Sequence, residues 1–273
     1  MNNIERYYSD FGEYSINEYV QAYILGSPSE MARFDHLINL VPEDIETLLD
    51  VGCGPGVFLH LLTKRRVVKC KGIEISDNKI TYAKENLGVH VEKGDAGKLH
   101  FENMSFDVVT ANEVIEHLPF GTYEDALREI ARVARRYIII SVPYDEKRNF
   151  MTCPYCETIF NSNHHLRSFS EREMPGLFLG FDIQKIDRIG IQETWPAPMR
   201  WINHIRKRNW QAAEFVCPAC GFSQTAKKAK NIVSKDTGHQ HVFIKYFGRK
   251  LLKYLPKVKK ARWLVVLYKR IEN

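Results

Sequence analysis

The sequence predicts an α/β fold built on a doubly wound, mostly parallel sheet. Three observations lead there. Short apolar runs alternate with amphipathic stretches from residue 45 to residue 191, the pattern of parallel strands joined by crossover helices. One run, "RYIIISVPY", is apolar almost throughout, as a strand covered on both faces requires. And "LLDVGCGPG" sets Gly52, Gly54 and Gly56 between the first apolar run and a helical pattern, where the backbone must turn tightly.

The elements follow in order. "SPSEMARFDHLINLV" has helical spacing, with Ser29 as its cap. "IETLLDV" is the first strand, and the apolar helix "VFLHLLTKR" follows the glycines. "VVKCKGIEIS" is a second strand, "DNKITYAKENLG" a helix ending at Gly88, and "VHVEKGDA" a third strand. "FDVVTANEVIEHL" is a fourth strand running into a loop, "TYEDALREIARVA" an amphipathic helix, and "RYIIISVPY" the fifth strand. Beyond residue 169, "SEREMPGLFLGF" reads as a helix containing Pro175, and "DIQKIDRIG" and "ARWLVVLYKR" read as two more strands. The expected organisation is an N-terminal helical cap at 1–44, a core at 45–191, an insertion at 192–260 and a final core strand at 261–273.

Composition narrows the class. The chain has 273 residues, 44% hydrophobic and 26% charged, ordinary for a globular protein. No apolar run approaches twenty residues, and the start lacks the basic-then-apolar plan of a signal peptide, so a cytoplasmic protein without a membrane span is expected. Ten of the 39 Lys and Arg lie from His241 onward against one of the 33 acids, leaving 29 bases and 32 acids elsewhere. The net charge of +6 therefore belongs to the tail.

The strand ends carry chemistry. Glycines after the first strand let a ligand approach the backbone at a helix N-terminus, although a tight turn alone would also use them. Glu74, about twenty residues on, can accept from both hydroxyls of a ribose. Asp95, after the third strand, can accept from an exocyclic amine. Together they suit an adenosine-type cofactor.

"LLDVGCGPG", "GIEIS", "GDA", "FDVVTANEVIEHL" and "IIISVP" resemble, in order and spacing, the class I S-adenosylmethionine-dependent methyltransferases. The resemblance is strong from about Ile45 to Tyr144. It implies a Rossmann-like, seven-stranded sheet with helices on both faces and an antiparallel last strand. It also implies that Asp50 and the Gly52, Gly54 and Gly56 turn hold the methionine part of the cofactor. Glu74, with Ile75, would serve the ribose, Asp95 and Ala96 the adenine, and Asn112 the region near the methyl donor. The Pro-Gly-Gly turn that many relatives have before the fifth strand is missing.

Methyl transfer to a hydroxyl needs alignment and a proton acceptor. Glu113, Glu116 and His117 follow the fourth strand; His164, His165 and Arg167 follow the fifth. Glu113, His117 and His165 are the catalytic candidates, with His117 or His165 as base. The E-x-x-E-H set with a later His is also similar to the metal-binding set of small-RNA 2′-O-methyltransferases. A structural role for His117 is the plain alternative.

Cys153, Cys156, Cys217 and Cys220 form C-x-x-C…C-x-x-C, each pair holding a Pro. Four thiolates make a closed tetrahedral site, so a structural zinc is expected there, in an insertion pinned to the loop after the fifth strand. The rivals are a redox pair, four unconnected thiols, or His164, His239 or His241 replacing a cysteine. The segments "TWPAPMRWINHIRKRNWQ" and "YFGRKLLKYLPKVKKARW" mix Trp with bases. They read as a nucleic-acid surface, as peripheral docking on an anionic membrane, or as a solvated helix face. The expectation for activity is O-methylation of a small molecule or sugar precursor. The alternatives are RNA 2′-O-methylation and a non-catalytic zinc- and nucleic-acid-binding module.

Overall fold

The computed structural model describes residues 15–148, 150–161, 163–194, 215–224 and 258–272. Its centre is a seven-stranded sheet of order β3-β2-β1-β4-β5-β11-β8. The strands are β1 Thr47–Val51, β2 Lys69–Glu74, β3 Val91–Lys93, β4 Phe106–Asn112, β5 Ala134–Pro143, β8 Phe181–Thr194 and β11 Val258–Arg270. β1 to β5 pair in parallel. β11 runs antiparallel to β5, with Trp263 opposite Pro143 and Lys269 opposite Tyr137. The seven strands and the antiparallel last one are as the sequence predicts.

Side-chain alternation explains why both faces are covered. Leu49, Val109, Ile140 and Leu264 point into one apolar cluster, and their neighbours Leu48, Val108, Ile139 and Val265 into the other. Helix α1 (Pro28–Leu40), α2 (Val57–Arg65) and α3 (Asp77–Leu87) pack on the second cluster; α4 (Thr122–Val133) packs on the first. Val108, Val109, Ile138, Ile139 and Ile140 are fully buried, each contributing roughly 1.5–3 kcal/mol of burial.

Two local readings change. α1 is capped by Ser27, whose hydroxyl accepts from the Glu30 N–H at 3.4 Å, and Pro28 takes the first helical position. Pro has no N–H to satisfy and its fixed φ suits that place, so the cap lies two residues before Ser29. "SEREMPGLFLGF" is not a helix: only Glu171–Glu173 makes a 3₁₀ turn. Pro175 cannot continue a helical ladder, and Gly176 and Gly180 both sit at positive φ.

The chain divides into two units. One holds 1–148, 164–190 and 261–273, and the other 149–163 and 191–260. The expected insertion thus shares a unit with the segment around Cys153. Within that unit, β6 (Phe150–Thr152) pairs with β7 (Ile159–Asn161), and β9 (Phe215–Val216) with β10 (Ser223–Gln224), both antiparallel. No helix among the described residues is long and apolar enough to cross a membrane.

Candidate active site and cysteine cluster

In an open α/β sheet, ligands bind beyond the carboxyl ends of the strands where the strand order reverses. Here that point lies between β1 and β4. Asp50 near the end of β1 is buried. Its Oδ1 accepts from the Thr110 hydroxyl at 2.6 Å and from Asn112 Nδ2 at 3.2 Å. Burial pushes its carboxyl up to about 7, against the pull of those two donors.

The turn after β1 is built by glycines for two reasons. Gly52 and Gly56 have φ of +68° and +79°, and a Cβ on either would meet Val114 or Val89 at 2.6 Å. Gly54, at φ +56°, has open space where its Cβ would lie. Its N–H donates to Glu74 Oε2 at 2.8 Å, while the Ile75 and Ser76 N–H groups donate to Oε1 at 3.0 Å. The Glu74 carboxylate therefore ties the end of β2 to the turn. Asp95 is exposed and accepts from the Gly97 N–H at 2.8 Å; Ala96 packs on the apolar cluster beside it.

The open space above Gly54 and the buried Oδ1 of Asn112 test whether a cofactor fits. That oxygen has no hydrogen-bond partner, and a buried acceptor left so costs about 1–3 kcal/mol. A ligand donor such as an ammonium satisfies it. The residues fit an amino-acid-bearing nucleoside.

Beyond β4 the chain turns sharply at Glu113, which has φ +57°, an uncommon conformation for a non-glycine residue that concentrates at functional sites. Glu113 Oε2 accepts from Trp263 Nε1 at 3.2 Å, and buried Oε1 has no hydrogen-bond partner. Burial raises the Glu113 carboxyl to about 7, with Arg33 pulling the other way. Glu116 is fully buried, and burial next to Glu113 raises it well above the carboxylate range. The 164–169 segment is laid over this loop by hydrogen bonds from the Leu166 and Arg167 N–H groups to the Glu116 carbonyl, at 2.8 and 3.3 Å. His117 and His165 then meet edge to face, with ring centroids 4.6 Å apart. Burial, then His165, lowers His117 to about 3. His165 Nδ1 bonds the Glu146 carboxylate. Arg167 stacks on Tyr123 and binds the Leu118 carbonyl; buried His164 sits at φ +57°.

Sequence reasoning missed three contributors. Arg33 of α1 bonds the Ser141 hydroxyl at 3.1 Å and stacks on Trp263. Trp263 reaches Glu113, and Glu146 reaches His165. Only Arg33 left a signal, as a charge among the buried Phe34, Leu37 and Ile38 of its helix.

In the other unit the four cysteines converge. Their sulfurs lie within 4.8 Å of one another, with Cys153 to Cys220 at 3.7 Å and Cys156 to Cys217 at 3.6 Å. Four sulfurs on a tetrahedral ion with bonds of about 2.3 Å stand roughly 3.8 Å apart. The two turns share one build. The Cys153 N–H donates to Thr158 O and the Cys217 N–H to Phe222 O, at 2.9 and 2.8 Å. Glu157 and Gly221, each just after the second cysteine, have φ of +61° and +72°. Bonds with Thr158 lower the Cys156 thiol to about 6, while burial and the neighbouring sulfurs raise Cys217 and, against its bond with Phe222, raise Cys220 to about 12. His164 belongs to the first unit. His239, His241, Trp195, Trp201, Trp210 and most of the basic tail lie outside the described residues.

Residues 49–139 match the methyltransferase domain family. Ajmaline N-methyltransferase of Rauvolfia serpentina is 31% identical over 147 residues, covering 49% of each chain. An O-methyltransferase of Pyrenophora dematioidea is 33% identical over 114 residues, covering 39% of this chain and 42% of the other. The chain thus spans less than half the length of these curated relatives. Among solved structures, a SAM-dependent methyltransferase from Thermotoga maritima matches over 98% of this chain and 99% of that one, at 18% identity and a TM-score of 0.54.

Proposed function

We propose that this chain, a class I S-adenosylmethionine-dependent methyltransferase by its fold and its domain at 49–139, methylates an oxygen of a small molecule or sugar precursor. One observation carries the reading. Asp50, the Gly52–Gly56 turn, Glu74 and Asn112 gather where the strand order reverses, with a buried Asn112 oxygen lacking a donor. In the proposed complex Asp50 and Asn112 hold the amino-acid part, Glu74 with Ile75 the ribose, and Asp95 with Ala96 the adenine.

S-adenosylmethionine supplies a methyl group already activated by a sulfonium charge. The protein aligns the acceptor and takes its proton. Glu113 is the proposed base. Its carboxyl titrates near neutrality, where a base works best, and Oε1 is unpartnered. With S-adenosylmethionine bound as methyl donor, Glu113 would take the proton of the acceptor hydroxyl. His117, at about 3, is a poor proton acceptor at neutral pH; it and His165 line the acceptor side. In the other unit, Cys153, Cys156, Cys217 and Cys220 hold a structural zinc, supported by sulfur spacings that suit a tetrahedral ion.

The test is calorimetry with S-adenosylmethionine, followed by transfer of radiolabelled methyl into hydroxyl-bearing small molecules and into RNA. Binding of one molecule per chain, weakened tenfold or more by Asn112→Ala, is expected, with label entering the small molecules. Absence of binding would revive the non-catalytic reading. Label in RNA ribose would replace the small-molecule acceptor.

A further inference from the structure

Arg167 is half-buried and, among the described residues, pairs with no carboxylate. Its guanidinium lies 3.8 Å from the centre of the Tyr123 ring and 4.9 Å from that of Phe120, and Nη1 donates to the Leu118 carbonyl. Nε and Nη2 share the other edge of the fork. Neither has an acceptor there, and Nη2 is buried. We propose that this edge of Arg167 binds an anionic group, a carboxylate or a phosphate, carried by the methyl acceptor. That the anion belongs to the acceptor rests on the methyltransferase reading; the anion site itself does not.

The first argument is the unmet donor. Buried polar atoms in native proteins are nearly always satisfied, and each exception asks for an explanation. A cation short of counter-charge costs more than a neutral donor would. Burial pulls Arg167 below its ordinary range, with Tyr123 and Glu124 acting the other way. Glu124, the one carboxylate whose charge reaches it, is engaged elsewhere: its Oε2 accepts from the Gly121 N–H at 2.7 Å. The donor set selects the ligand. Two N–H groups side by side on a planar fork match the two oxygens of a carboxylate or phosphate.

The second argument is position. The Leu166 and Arg167 N–H groups bond the Glu116 carbonyl, so this segment lies on the loop that follows β4, the loop that also carries Glu113. Ligands of such sheets bind beyond the carboxyl ends of the strands. Tyr123 fixes the guanidinium by its face, which leaves the edge for recognition. Phe120 is 83% exposed and offers an apolar surface next to the charge. An acceptor with a flat ring and an anionic group suits both.

The test titrates phenyl phosphate, benzoate and neutral benzyl alcohol into the full chain by calorimetry, with and without S-adenosylmethionine. One anion is expected to bind at least tenfold more tightly than benzyl alcohol, and which anion it is separates phosphate-bearing from carboxylate-bearing acceptors. Arg167→Lys, which keeps the charge but not the fork, should lose at least tenfold of that preference, and Arg167→Gln should abolish it. Glu124→Gln keeps the bond to Gly121 and removes the competing charge, so it should tighten the anion by about twofold or more. Circular dichroism checks folding, and Glu124→Gln with the wild type decides if neither Arg167 variant folds. Equal binding of anions and alcohol by the wild type, or a preference unchanged in the folded variants, overturns the proposal and leaves Arg167 a clamp on the Leu118 carbonyl. Weakened S-adenosylmethionine binding in Arg167→Lys would assign the anion to the cofactor and overturn it as well. Cofactor bound without any anion preference defeats only the anion site. Anion preference without cofactor binding defeats the methyltransferase reading and keeps the site.

Discussion

Asp50 and Glu113 are buried carboxyls at the ends of two adjacent strands, and burial raises both to about 7. For Asp50 the folded-state value exceeds the unfolded one. Its contribution to stability is therefore fully present below about 4 and is lost as pH rises through about 7. Asp50→Asn removes the cost of burying that charge and keeps an acceptor for Thr110. The variant should be more stable than wild type at pH 8 without cofactor, by on the order of a few kcal/mol, with the gap closing toward pH 4. It should also lose affinity for S-adenosylmethionine. Thermal melts across pH and calorimetry check both. Trp263 gives a second test, because its N–H stabilises the charged form of Glu113. Trp263→Phe should raise the Glu113 value and move the acidic limb of the activity profile upward. A profile that stays in place would remove Glu113 as the base.

At the level of elements, the close fit of β2 against the glycine turn depends on Gly72. A Cβ there would meet Cys53 Sγ at 2.5 Å and Leu59 Cδ1 at 3.0 Å. Gly72→Ala should push Cys53 out of place, cost about 1–3 kcal/mol, and weaken cofactor binding because Cys53 belongs to the turn. Denaturant melts and calorimetry measure the two effects. The alternation of β1, β4, β5 and β11 was legible as apolar runs, since strands covered on both faces leave no polar positions. The helix expected at 170–181 failed for a local reason: apolar spacing alone does not outweigh Pro175 followed by two glycines at positive φ.

For the whole molecule, the two units make separate demands. The unit of the described cysteine turns has a small apolar cluster of Met151, Cys153, Phe160 and Cys217, with Cys220 and Phe222 at its edge. Among the described residues that cluster is small, and the proposed ion at the four sulfurs would add to its order. Cys217→Ser should remove about one zinc per chain by elemental mass spectrometry. It should also speed hydrogen exchange in 150–161 and 215–224. Zinc retained at one per chain would exclude the four-thiolate site.

The sequence by itself determined the strand and helix alternation, the glycine turn with Asp50, Glu74 and Asn112, and the paired cysteines. All of these are local: a turn needs glycines within a few residues, and a zinc-type turn needs its cysteines three positions apart. Tertiary structure decided what surrounds the chemistry. Arg33, Trp263 and Glu146 reach the site from segments far from "EVIEHLP" in the chain. Whether Glu113 behaves as a base, or His117 as a weak one, depends on burial that no spacing encodes. Desolvation and charge act through space, so the groups that tune a site become visible only once folding brings them into contact.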